Sequence, residues 1–491
     1  MTRRPTTRVA ALAVLGGALG LTGVLVAQQT LDRTKVPPAG PISVLHVPTW
    51  TTSTLADGAA LMVSERHDLP LVAFTISFLG GANQFETAER CGVAAFTAAM
   101  MSEGTTTRDG QALSSALQLL GTSLSVGVGA ENGAISFVST TAKFGPTLDL
   151  LADVLEHPTF PAPALERLRA QRLVALTQAR TQPASMSARA FPRVLYGSAH
   201  PFGWAVTEET VKAITRDDVV AFHRAYFQPG RALVTVVGDV TAAGVKTRLD
   251  QALAAWPAGG TKPTFAYPAV PAPKATTIYL VDKPGAAQST FVLGNPGPAR
   301  TTPDYFALQV MNQILGSSAN FASRLNLNIR EEKGYSYGVR SSFAFGKGPG
   351  PFQAGGDIVS DKSSLALVEF LKELKGIQGV RPVTDEELAS AKNSLNQRLP
   401  AQFASVEGIN GAIAGLWIQG LPPTYYQTYA AKVSAVTRDD VVRVAKQYID
   451  LDHLAIVIVG DRASIEGPLT ATHLAPVVVI DLNGHPVSGT R

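Results

Sequence analysis

The chain reads as an α+β protein built from two copies of one α/β domain, each a mixed sheet with helices packed on one face. Three observations predict this. Residues 213–240, AITRDDVVAFHRAYFQPGRALVTVVGDV, align without a gap on residues 435–462, AVTRDDVVRVAKQYIDLDHLAIVIVGDR, with eleven of 28 positions identical at an offset of 222. In each copy a threonine precedes an aspartate by three, Thr215/Asp218 and Thr437/Asp440, the pattern of an N-capped helix, and a strand follows. Between the copies, Pro257, Pro263, Pro268, Pro271 and Pro273 stand among Gly and Ala, as in a semi-rigid extended linker. A period of 222 residues is far too long for a solenoid and means a duplicated domain.

The boundaries that follow are 43–256 and 277–491 for the two domains, with 257–276 as the linker and 28–42 as a Pro-rich polar tether. Residues 1–27 carry Arg3, Arg4 and Arg8, then an uncharged run from Val9 to Ala27, the layout of an export signal with a passable cleavage site at Leu25-Val26-Ala27. An uncleaved membrane anchor is the alternative, because the run almost spans a bilayer. Either form exports the bulk of the chain, to the periplasm or cell envelope.

Composition narrows the function. At 491 residues and 45% hydrophobic content the chain supplies real cores. The net charge of +4 arises from 42 basic and 38 acidic residues that are well mixed, which excludes a nucleic-acid face. A single cysteine, Cys91, excludes an internal disulfide and a cysteine-based zinc cluster.

In the first domain, residues 45–61 and 71–79 read as paired strands around a turn at 66–70. Residues 92–101, 111–120, 148–156 and 164–181 read as helices, the last ended by Pro183. Residues 123–129 and 134–140 read as a hairpin reversing at Glu131-Asn132-Gly133, since Asn-Gly is a strong turn signal. In the second domain, residues 323–339, SRLNLNIREEKGYSYGV, read as a helix ending near Arg330, a charged tip, a left-handed Gly334 and a strand over 335–345. The reversal at Gly334 brings Arg330 beside the strand, and alternation puts Tyr335 and Tyr337 on one face. Arg330 and Tyr337 then converge as a cationic fork and a phenol hydroxyl, donors suited to a peptide carbonyl.

SRL followed by LNIREEKGYSYGV resembles the segment SRL…LREexGLaYsV in the second domain of the pitrilysin/insulinase-type metallopeptidases, which include the mitochondrial processing peptidase. The resemblance implies a clam-like pair of metallopeptidase-like lobes, with Arg330 and Tyr337 as the residues that bind substrate. It extends to the first domain, where Gly92 to Thr105, GVAAFTAAMMSEGT, is similar to the family's G-L-A-H-F-L-E-H-M-x-F-x-G-T. There the inverzincin H-x-x-E-H supplies two zinc-binding histidines and a glutamate base. In this chain those positions are Ala95, Ala98 and Ala99, and counting about 76 residues onward places the third-ligand position at Ala175. Four methyl groups offer no lone pair, so no metal site and no catalytic residue of its own is expected.

The alternatives are weak. Asp153, Glu156 and His157 share a helix, but their setting before Pro158 resembles the family's structural D-x-L-x-x-P-x-F. His200-Pro201-Phe202-Gly203 resembles its H-P-Y-G turn, and the other histidines show no ligand spacing. The resemblance therefore implies a non-catalytic, substrate-binding subunit whose partner, an H-x-x-E-H-bearing peptidase chain, supplies zinc. The alternative is a structural or peptide-holding pseudopeptidase without such a partner. The substrate is expected to be an extended peptide added as a strand to the 123–140 hairpin. The glycine-rich loop of the mitochondrial non-catalytic subunit is not seen before Ser323.

Overall fold

The computed structural model describes residues 46–271, 273–317 and 320–487. The expected export signal and tether lie outside these residues. Among those described, no helix is long and apolar enough to cross a membrane.

Twelve strands form two six-stranded mixed sheets. The first contains β1 (Thr51–Thr54), β2 (Ala60–Glu65), β3 (Leu71–Leu79), β4 (Ser125–Val128), β5 (Asn132–Thr140) and β6 (Ala232–Gly238), in the order β1-β2-β6-β3-β5-β4. The second contains β7 (Thr277–Asp282), β8 (Gln288–Pro296), β9 (Ser336–Phe345), β10 (Pro349–Val359), β11 (Ala455–Gly460) and β12 (Val477–Ile480), in the order β12-β7-β11-β8-β10-β9. From the second position inward the two orders are the same. The repeat seen in the sequence is the helix Arg216–Tyr226 leading to β6 and the helix Arg438–Tyr448 leading to β11. Both begin with a reciprocal capping box, Thr215 with Asp218 and Thr437 with Asp440.

Several local expectations change. Residues 45–61 are not one strand: β1 turns back on β2, and β6 inserts between β2 and β3, because a parallel partner from the far end of the domain outcompetes the short turn. Asn132 and Gly133 lie inside β5, and the reversal falls on Gly129–Glu131, so the local turn preference gives way to sheet register. A side chain at Gly133 would strike the Tyr226 hydroxyl, which gives this glycine a packing role. Pro183 opens the helix Pro183–Tyr196 at its first turn, where its missing N–H leaves nothing unpaired.

The halves are packed across one another within one compact unit. On the first sheet, Phe74, Ile76 and Phe78 face the half's own helices, while Ala73 and Val237 on the other face meet Ile409, Ile413 and Leu416 of the helix Val406–Gln419 from the second half. The exchange is reciprocal. Met186, Ala190 and Phe191 of the Pro183–Tyr196 helix cover Val281, Val457 and Val459 of the second sheet. Each large apolar side chain buried in these seams contributes about 1.5–3 kcal/mol. Asn410, buried in the first seam, donates to the carbonyls of Ala73 (3.1 Å) and Thr235 (2.9 Å). The described residues of the linker have no regular structure, but it is anchored: Tyr267 packs on His200 and Phe202 and donates to Glu131.

Candidate functional site

Arg330 sits in a π-helix, Asn326–Glu332, so the helix runs two residues past the expected end and takes in Glu331 and Glu332. The widened turn is held from three sides. Leu325 and Ile329 are fully buried in the core of the second half. Asn326 accepts the Val339 N–H (3.0 Å), and Asn328 donates to Glu369 (2.7 Å) and Glu373 (2.8 Å). Such π turns commonly mark places where a helix re-aims a functional side chain. Gly334, at φ +66°, reverses the chain as its sequence position predicts.

The strand that follows starts at Ser336, one residue later than expected. Its register with β10 shifts between Gly356 and Ile358, and the Gly338 N–H is taken up by Ser336 Oγ (3.1 Å). This irregularity undoes the simple alternation: Tyr335 packs against the core, whereas Tyr337 is 86% exposed. The two tyrosines do not share a face, but Arg330 and Tyr337 do meet. The guanidinium carbon lies 5.7 Å from the Tyr337 ring centroid and 4.7 Å from that of Phe321. Its nearest carboxylate is exposed Glu331, at 3.2 Å. Phe321, 60% exposed, gives the pair an apolar rim. Sequence reasoning missed Phe321, because an aromatic nine residues ahead of Arg330 across an irregular turn leaves no periodic signal.

The second arginine of the motif, Arg324, is structural. It is buried, grips Glu387 with two bonds of 2.7 and 2.6 Å, and donates to the carbonyls of Arg381 and Pro382.

Ala95, Ala99 and Ala175 line one pocket of about 300 Å³ between the helices Val93–Met100 and Ala162–Ala179. The three positions come from two helices and face one pocket. Ala98 does not join them; it is buried and does not line this pocket. The nearby groups do not fit a metal ion. Glu86 accepts from the Gly92 and Ala94 N–H groups at the helix start, and burial raises its carboxyl. Burial and the Glu86 charge push the Cys91 thiol up to about 12. Among the described residues, no three His, Cys, Asp or Glu side chains are grouped as a ligand set.

The remaining candidates have structural partners. Asp153 accepts from the Thr105 (2.6 Å) and Thr107 (2.5 Å) hydroxyls, and Glu156 is the carboxylate beside His157. His200 is buried, accepts the Phe202 N–H and stacks on Tyr267; burial lowers its basicity.

The two outer hairpin strands differ in a way that matters for peptide binding. The edge of β9 is closed, since Val339 and Ser341 donate to Asn326 and to the Gly316 carbonyl. β4 ends its sheet, and beside it a groove of about 770 Å³ runs between β3, β5 and the Val406–Gln419 helix, lined by Ser123, Ser125, Ser136, Phe137 and Asn410.

Comparison with known proteins places this geometry. Residues 64–195 match the family described as insulinase (peptidase family M16), and residues 213–395 match the peptidase M16 inactive domain. The non-peptidase homolog YmxG of Helicobacter pylori is 23% identical over 460 residues, covering 91% of this chain and 97% of that protein. The crystal structure of a peptidase M16 inactive domain from Pseudomonas fluorescens superposes with a TM-score of 0.76 at 27% identity, covering 84% of this chain and 98% of that one. A protease from Helicobacter pylori shares the fold, with a TM-score of 0.77 at 17% identity over 84% of this chain and all of that one. Two family-model matches that together cover more than half of the chain, a shared two-sheet fold and alanine at each position of the zinc motif lead to one statement: the chain belongs to the insulinase-type peptidase family M16, as a pseudopeptidase without the family's metal-binding residues.

Proposed function

We propose that this chain is the non-catalytic, substrate-binding subunit of an exported two-chain zinc peptidase. Arg330 and Tyr337 hold the peptide carbonyl, and a partner chain of the same family bearing H-x-x-E-H supplies the zinc and the base. The observation that carries the reading is the pairing of half-buried Arg330 with exposed Tyr337 on a chain whose own metal positions are methyl groups. A guanidinium flanked by two aromatic rings keeps its orientation while leaving N–H donors free for a carbonyl oxygen, and a neighbouring phenol adds a third donor. The β4 edge and its groove suit an extended peptide held by main-chain hydrogen bonds.

The test is recovery of the tagged full-length chain from its native envelope, followed by peptide cleavage with the H-x-x-E-H chain that co-purifies. Arg330→Ala or Tyr337→Phe is expected to lower turnover about 100- to 1000-fold, as loss of one oxyanion donor does, while thermal unfolding stays unchanged. Unchanged cleavage removes the assigned roles. Absence of any H-x-x-E-H partner favours the peptide-holding pseudopeptidase.

A further inference from the structure

We infer that the pocket left at the lost metal site is a binding site for the C-terminal residue of a peptide, with an apolar side chain inserted between the two helices and the terminal carboxylate on Arg172. The cavity of about 300 Å³ is apolar over most of its wall, formed by Ala95, Phe96, Ala99, Leu168, Ala175 and Val206. Its polar groups are Gln171 and Arg172, both exposed on the Ala162–Ala179 helix. A site of this kind takes an apolar body and fixes it through a few polar groups at one end.

Arg172 supplies the sign of the ligand. Other arginines on this helix and at its end are matched: Arg167 pairs with Glu103, Arg169 with Glu166 at 3.1 Å and with the carbonyls of Val211 and Ile214, and Arg180 with Glu208 at 2.8 Å. Among the described residues, Arg172 has neither a carboxylate nor a hydrogen-bond acceptor in reach. The nearby carboxylate, Glu86, is half-buried and taken up by the Gly92 and Ala94 N–H groups at the helix N-terminus. Arg172 comes close enough to act on the Cys91 thiol, yet burial and Glu86 keep that thiol protonated. An open guanidinium at the mouth of an apolar cavity recognises a carboxylate attached to an apolar group, and its fork geometry favours two parallel bonds to it. A peptide end is the occupant chosen because the Val93–Met100 helix packs on the edge strand β4, so a chain lying along that edge runs beside the pocket.

The inference stands apart from the Arg330–Tyr337 reading, since neither residue lines this pocket and no partner chain is needed to test it. The experiment is calorimetric titration of the isolated full-length protein with a short peptide ending in Leu-Ala-Phe, as the free acid and as the C-terminal amide. The acid is expected to bind at least about tenfold tighter than the amide, the scale of a charge-assisted pair. Arg172→Gln is expected to erase that difference, and Ala99→Leu, which fills the cavity, to weaken both peptides while the melting curve stays cooperative. Equal binding of acid and amide, no binding of either, or a difference that survives Arg172→Gln overturns the assignment.

Discussion

The carboxylate of Glu131, at the tip of the β4–β5 hairpin in the first half, accepts the backbone N–H groups of Lys347 (2.7 Å) and Gly348 (2.9 Å) at the tip of the β9–β10 hairpin in the second. Tyr267 of the linker donates to the same carboxylate, and a methyl at Gly346 would collide with it. One side chain thus ties both hairpin tips and the linker. Glu131→Ala is expected to speed amide hydrogen exchange at Lys347 and Gly348 by about tenfold or more, because each loses a hydrogen bond to a charged acceptor. Exchange unchanged at those two amides would show that the tips are held by something else.

The seam between the halves makes a second prediction. Asn410 is buried and bonds two carbonyls of the opposite half's sheet. Asn410→Ala is expected to lower unfolding free energy by about 1–3 kcal/mol, measured as a lower urea midpoint at unchanged slope. A shift no larger than for an exposed alanine substitution would mean that the seam contributes little.

Arg324 and Glu387 give a pH-dependent prediction. Burial alone would raise the Glu387 carboxyl, but the Arg324 guanidinium and the Thr384 N–H hold it below its ordinary value. A depressed carboxyl contributes stability above its unfolded pKa and loses it as pH falls through the folded one. The stability gap between wild type and Glu387→Gln is therefore expected to be full at neutral pH and to close below pH 4.5. Arg324→Ala, which breaks a buried pair, is expected to cost about 3 kcal/mol at pH 7. A gap that widens on acidification would contradict the assignment.

The emptied metal site can be probed by restoring it. Ala95 and Ala99 lie one turn apart on one helix, and Ala175 faces the same pocket from another. Ala95→His, Ala99→His and Ala175→Glu together are expected to bind one zinc per chain, by elemental analysis after dialysis. Ala95→His with Ala175→Glu, Ala99 left in place, is expected to bind none tightly. Equal zinc content in both would show that the three positions do not converge.

The sequence by itself determined the duplication, the capped helix and strand of each repeat, the alanines that stand where the family's zinc motif would be and the short stretch that carries Arg330 and Tyr337. These are local signals: a cap, a run of apolar residues, a motif read position by position. Only the tertiary structure decided that β6 separates β2 from β3, that each half lends a helix to the other's sheet, and that Phe321 flanks Arg330. It also decided that Tyr335 turns inward while Tyr337 turns out, because a register shift against β10 overrides the alternation expected of an even strand. Pairings between residues far apart in the chain depend on which surfaces bury each other best, and no window of sequence contains both partners.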